Sequence, residues 1–272
     1  SPTKFLTSRA TANSRLRKEL VVLALVKLAS TDAEGAARLL DGKWGPILTA
    51  EERNWVWGAI GMQSASRLGT EALGYFDNVK KDTDLTDEML GWKARAALRA
   101  ASKPRWASVL SAVNAMSEEG QRDPTWVYWK ARALLATNAP AQHAEAKALL
   151  ESIASTRGFY EQLALEELGQ KISVPPRPAP LRPAETEAAR LNASLNRGIY
   201  AITIGLRSEG VREWNYGTNL ATPGGMAERE LLAAAQFACD HQVWDRCINT
   251  SERTQNEVDA AQRYPMPFKE SV

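Results

Sequence analysis

The chain has 272 residues, 44% of them hydrophobic and 24% charged, with a formal net charge of +2. This is the composition of a folded chain with room for one large or two modest cores, and its acidic and basic residues are mixed, so no field is set up for nucleic acid. The longest uninterrupted apolar run, at 20–26, is about a third of what spans a bilayer, which predicts a buried helix face and no membrane span.

The first twenty residues carry Lys4, Arg9, Arg15, Arg17 and Lys18 against Glu19. They loosely resemble an organelle transit peptide, a processed or trimmed start explains them equally well, and no signal-peptide pattern is read there. Helix starts are marked next. Thr31 with Glu34 and Thr49 with Glu52 fit the capping box, in which a hydroxyl and a carboxylate satisfy unpaired backbone N–H groups.

A near-repeat dominates the middle. "WKARAAL" at 92–98 returns as "WKARALL" at 129–135, 37 positions later. Thr86 and Asp123 are natural N-caps, and Pro124 suits a first helical turn, where a missing N–H costs nothing. Each motif helix then meets a proline, Pro104 or Pro140, and a second amphipathic helix follows at 105–119 and 141–155. A fainter copy starts at Trp57, with a second helix around 71–81. Units of this length predict an α-solenoid, a superhelix of stacked tetratricopeptide-like hairpins, over 1–173.

The segment 174–183, "VPPRPAPLRP", has five prolines in ten residues and predicts an extended linker. Beyond it, 184–272 reads as a smaller all-α domain, with helices near 184–195, 198–206, 226–241 and 243–253. Only "YAITIGL" at 200–206 tempts towards a strand, and the fold class is all-α.

Chemical motifs are absent: there is no phosphate loop, nucleophile elbow or paired Cys-x-x-Cys. His143 and His241 lie far apart and read as solvated helix-end residues. Cys239 and Cys247 are too few for a zinc set and read as two free thiols, although a helical turn near 241–243 would allow them to bridge. The acidic pairs Glu51-Glu52, Glu118-Glu119 and Glu166-Glu167 read as solvated faces. A catalytic Glu161 or Glu166 beside Tyr160 is the remotest reading. Trp92 and Trp129 recur with the period and read as packing positions, with sugar stacking as the alternative. Arg95 and Arg132, on the same faces, are placed to lie against an indole or pair with an acid. No catalytic, metal-binding or cofactor-binding residue is assigned.

From Trp126 the order of features becomes specific. The Trp-Lys-Ala-Arg helix is followed by Gly158-Phe159-Tyr160, Leu163-Ala164 and Leu168-Gly169. After the prolines come "REWNY" (212–216), "RELLAAAQFA" (229–238), "VWDRCINTSERT" (243–254) and "RYPMPF" (263–268). This series resembles the soluble lytic murein transglycosylases, strongly from Trp126 and more weakly before it. The resemblance implies a superhelical region, a linker domain, and then a lysozyme-like catalytic domain beginning after the "RYP" segment. That domain's catalytic Glu lies in a Glu-Ser motif, with Gly-Leu-Met-Gln further on. Glu270-Ser271 comes too early to take that role, so the chain is expected to lack its active site.

For the whole enzyme the resemblance implies cleavage of the MurNAc–GlcNAc bond in peptidoglycan. One Glu acts as acid and then base, and the sugar's own hydroxyl closes a 1,6-anhydro end. It also implies a periplasmic or envelope location. Expected partners are glycan strands, the enzyme's own catalytic domain and other cell-wall proteins. The competing reading is a stand-alone helical-repeat scaffold for a protein partner.

Overall fold

The computed structural model describes residues 1–8, 14–137, 139–173 and 176–268, and among these no strand forms. The helices are α1 (Pro2–Thr7), α2 (Arg15–Ala29), α3 (Ala33–Leu39), α4 (Ala50–Ser66), α5 (Ala72–Phe76), α6 (Asp87–Leu98), α7 (Trp106–Asn114), α8 (Glu118–Arg122) and α9 (Pro124–Leu135). They continue with α10 (Pro140–Ile153), α11 (Phe159–Glu167), α12 (Pro183–Leu191), α13 (Ala193–Thr203), α14 (Arg207–Asn219), α15 (Glu228–Asp240), α16 (Trp244–Ser251) and α17 (Ala260–Arg263). The chain divides into two compact units, Ser1–Ser173 and Val174–Val272.

In the first unit, local chemistry sets most helix starts. Thr49 and Glu52 form the reciprocal capping box, and Thr86 caps α6 through Met89 N–H. Asp123 caps α9 through Thr125 N–H, with Pro124 in the first turn. The box expected at Thr31 and Glu34 does not form. Asp32 is the cap instead, accepting from Gly35 N–H at 2.7 Å, while the Thr31 hydroxyl donates to Leu28 at the end of α2. An ionised carboxylate is the stronger acceptor at a helix N-terminus, so the start moves by one residue.

The helix expected over 105–119 is two pieces. Asp87 accepts from both the backbone N–H and the hydroxyl of Ser117, and Ser117 then caps α8. A tie to the preceding hairpin thus interrupts the amphipathic run. The pairs α4–α5, α6–α7 and α9–α10 pack as hairpins, and α7 also packs on α9. Their core is led by Leu25, Trp44, Ile60, Phe76, Leu90 and Val109, with Ala94, Ala97, Ala131 and Ala133 where helices approach closely. The apolar run at 20–26 is only half inside: Val21 and Leu25 are buried, whereas Leu20 and Leu23 face out.

In the second unit, 176–182 is without helix, Pro183 opens α12, and "YAITIGL" is helical through Thr203. Helix α14 has no counterpart among the predicted elements. Its sequence, RSEGVREWNYGTN, contains two glycines and is mostly polar, with Val211, Trp214 and Tyr216 its large apolar residues. Those glycines are what its packing requires. A Cβ on Gly210 would lie 2.5 Å from the Gly198 carbonyl oxygen, and one on Gly217 would lie 2.7 Å from Ser194 Cβ. The helix tolerates the poor propensity of glycine, about 1 kcal/mol each, because it allows α13 and α14 to pack backbone against backbone.

The cysteines are bonded to each other rather than free. Cys239 lies in the last turn of α15, Cys247 sits buried in α16, and the turn between them, with Gln242 at φ +58°, brings them together as a disulfide. Periodicity could not supply that turn geometry. In the chain-entropy account, closing a loop this short contributes about 2.5 kcal/mol.

Candidate functional site

The two Trp-Lys-Ala-Arg copies sit on α6 and α9, and their arginines meet different fates. In the first copy, Lys93 turns inward and pairs with Asp82 at 2.6 Å, both side chains nearly buried. Arg95 points outward. Its guanidinium carbon lies near two indoles, 5.1 Å from the centre of Trp92 and 4.9 Å from that of Trp126. A groove opens here between α6 and the α8–α9 segment, with Glu88, Gly91 and Glu119 also on its wall.

In the second copy, Lys130 faces Glu145 at 3.8 Å. Arg132 donates to the Tyr128 hydroxyl at 2.9 Å and to Glu167 at 2.6 Å. Burial pushes the Tyr128 phenol above its ordinary pKa. Tyr128, Trp129, Phe159 and Tyr160 form a mostly edge-on aromatic cluster with centroids 5.2–6.4 Å apart, and Trp129 Nε1 donates to the Tyr160 hydroxyl. Phe159 is its exposed edge. The sequence offered each arginine an indole or an acid, and one copy takes each option.

Trp92 and Trp129 pack against the core from its edge. The fully buried tryptophans are Trp44, whose Nε1 donates to Leu6, and Trp214, whose Nε1 donates to Thr250 Oγ1 at 2.9 Å. Neither recurs with the repeat, so periodicity gave no signal for them.

Glu167, rather than Glu161 or Glu166, reaches the aromatic cluster, and the Tyr160 hydroxyl is taken by Trp129. His143 is exposed and its Nε2 meets the Thr137 carbonyl, while His241 closes α15 with Nδ1 at the Phe237 carbonyl. Among the described residues, no group of three or more potential ligands could hold a metal. Glu270-Ser271 and Arg9 lie outside the described residues.

The carboxyl groups show a common tendency. Hydrogen bonds from Arg229 and Arg182 hold Glu185 well below the usual carboxylate range. Arg190 lowers Glu187 in the same way, and Arg197 lowers Glu213. Every displaced carboxyl among the described residues is displaced downwards. A general acid working near neutrality needs the opposite shift.

The motif residues of the second unit are internal ties. Arg229 donates to the Ala179 and Pro180 carbonyls and to Glu185 and Glu257, pinning the proline-rich segment onto α15. Arg246 reaches Asn215, and Arg263 reaches the Thr254 carbonyl and hydroxyl. Gln262, buried, donates to Leu232 and Gln236.

No family model matches the chain, and no curated protein does either. Among solved structures, an inactive mutant of the lytic transglycosylase Slt from Pseudomonas aeruginosa matches 98% of this chain and 41% of its own, with 25% identity and a TM-score of 0.69. The 70 kDa soluble lytic transglycosylase of Escherichia coli matches 99% of this chain and 42% of its own, at 19% identity and a TM-score of 0.66. A complex of the 70 kDa soluble lytic transglycosylase with bulgecin A gives the same values. The chain thus spans about two fifths of the length of the structures it matches.

Proposed function

We propose that this chain, which belongs to the soluble lytic transglycosylase family, is the superhelical and linker part of a peptidoglycan-cleaving enzyme. In this reading, residues 1–173 position glycan strands, 174–183 is the proline-rich connection, and 184–272 is the linker domain. The lysozyme-like domain of the same enzyme cleaves the MurNAc–GlcNAc bond without water and leaves a 1,6-anhydro end. The observation that carries this reading is the match of 98% of the chain to a lytic transglycosylase of which it covers only 41%. The disulfide supports a periplasmic location, because such bonds persist in oxidising compartments.

The test is sedimentation with purified peptidoglycan sacculi. The 272-residue protein is expected to pellet with sacculi in a saturable manner and to be released by solubilised glycan strands. Failure to pellet, together with capture of one saturable protein partner, would instead establish the interaction-scaffold reading.

A further inference from the structure

We propose that the groove around Arg95 binds a zwitterionic ligand, with its carboxylate on the Arg95 guanidinium and its ammonium on the rim formed by Glu88 and Glu119. The proposal rests on the peptidoglycan reading and narrows it to a substrate class: a short peptide branch ending in an amino acid with a free amino group and a free carboxylate.

The argument starts from the difference between the two repeat copies. Offset by 37 residues, Gly91 corresponds to Tyr128, Trp92 to Trp129, Arg95 to Arg132, and Lys130 to Glu167. In the second copy Tyr128 and Glu167 both accept from Arg132 Nη1. The first copy lacks both groups. Gly91 puts no side chain in the way, and a Cβ there would meet Trp126 Cζ2 at 2.8 Å and Arg95 Nη1 at 3.0 Å. That space is what lets Trp126 approach the guanidinium as closely as Trp92 does.

The Arg95 guanidinium thus has two indole neighbours and is exposed to solvent. Arg95 donates no hydrogen bond and makes no ion pair with any described residue. Planar bidentate donors of this kind suit a carboxylate. The surrounding charge then narrows the ligand. Asp87 is engaged by Ser117 and Asp123 by Thr125 N–H, whereas Glu88 and Glu119 have no hydrogen bond or ion pair. A simple anion would be repelled by the acidic rim, and a simple cation would meet Arg95. A ligand with both charges satisfies both, and the indoles supply contact for its C–H groups.

The probe is the tripeptide N-acetyl-L-alanyl-γ-D-glutamyl-meso-diaminopimelate, whose single free amino group is on the diaminopimelate, titrated into the 272-residue protein and followed by tryptophan fluorescence and amide chemical shifts. The same peptide with its free amino group acetylated, or with its terminal carboxyl groups amidated, provides the comparison, and peptide-free glycan strands form a separate arm. The free tripeptide is expected to bind at least tenfold tighter than either blocked form. Arg95→Gln should abolish the dependence on the carboxyl groups, and the pair Glu88→Gln with Glu119→Gln the dependence on the amino group. Circular dichroism should be unchanged, since all three side chains are exposed. Equal affinity for the three peptides, no binding of any, or Arg95→Gln behaving as the parent would overturn the proposal. If that happens while peptide-free strands still bind, the glycan-positioning reading survives; loss of both arms sinks both.

Discussion

Replacing Trp214 with alanine is expected to destabilise the chain by about 3–5 kcal/mol, the range for emptying a buried aromatic site. Trp214 is fully buried where α14 meets α13, beside the glycine contacts at Gly198. The backbones there are already in contact, so they cannot collapse further to fill the void. The indole N–H also satisfies Thr250 Oγ1, which would lose its donor. Trp214→Phe keeps an aromatic ring and most of the volume while removing the N–H and part of the bicycle, with an expected cost of about 1–2 kcal/mol. Thermal and urea unfolding of both variants gives the check. A loss below about 1 kcal/mol for the alanine variant would mean that the site relaxes, contrary to the close packing described.

Asp82→Ala is expected to cost about 3–5 kcal/mol in the first unit, because removing one partner of a buried ion pair leaves the other charge without compensation. Lys93 and Asp82 have side chains only 9% and 11% exposed, and Asp82 also accepts from Ser111. The pair replacement Asp82→Leu with Lys93→Met should recover most of the loss, since a packed apolar pair of similar volume is often as stable as a buried salt bridge. Chemical denaturation of the single and double variants measures this directly. Equal destabilisation by both would locate the cost in packing rather than in an unpaired charge.

Features decided by a few neighbouring residues were legible in the sequence. The caps at Thr49, Thr86 and Asp123 depend on atoms within three positions, and the all-α class follows from sustained helical patterning. Where a local competitor existed the reading slipped, as when Asp32 displaced Thr31. Features decided by distant partners were not legible. Nothing within "WKARAAL" or "WKARALL" tells that Arg95 lies near two tryptophans while Arg132 finds Glu167. Helix α14 was hidden because its glycines spoil the pattern, and their purpose appears only once α13 is beside them. The disulfide needed a turn that residue spacing merely allowed. The likeness to lytic transglycosylases was legible from Trp126 through the order of its motifs, and in three dimensions it extends over nearly the whole chain.

Several residues of the motifs that carried the likeness are internal structural ties. Arg229 fastens the proline-rich segment, Trp214 and Thr250 join α14 to α16, and Arg263 secures the segment after α16. Arg95 differs from its counterpart Arg132 because its repeat lacks the groups equivalent to Tyr128 and Glu167.

The most direct measurement of this account is the analysis of soluble products after incubation with sacculi. The 272-residue protein should release no 1,6-anhydromuropeptides, while a version extended through a downstream catalytic domain should release them. Anhydro products from the 272-residue protein alone would contradict the account, because they would place the reacting carboxyl within these residues.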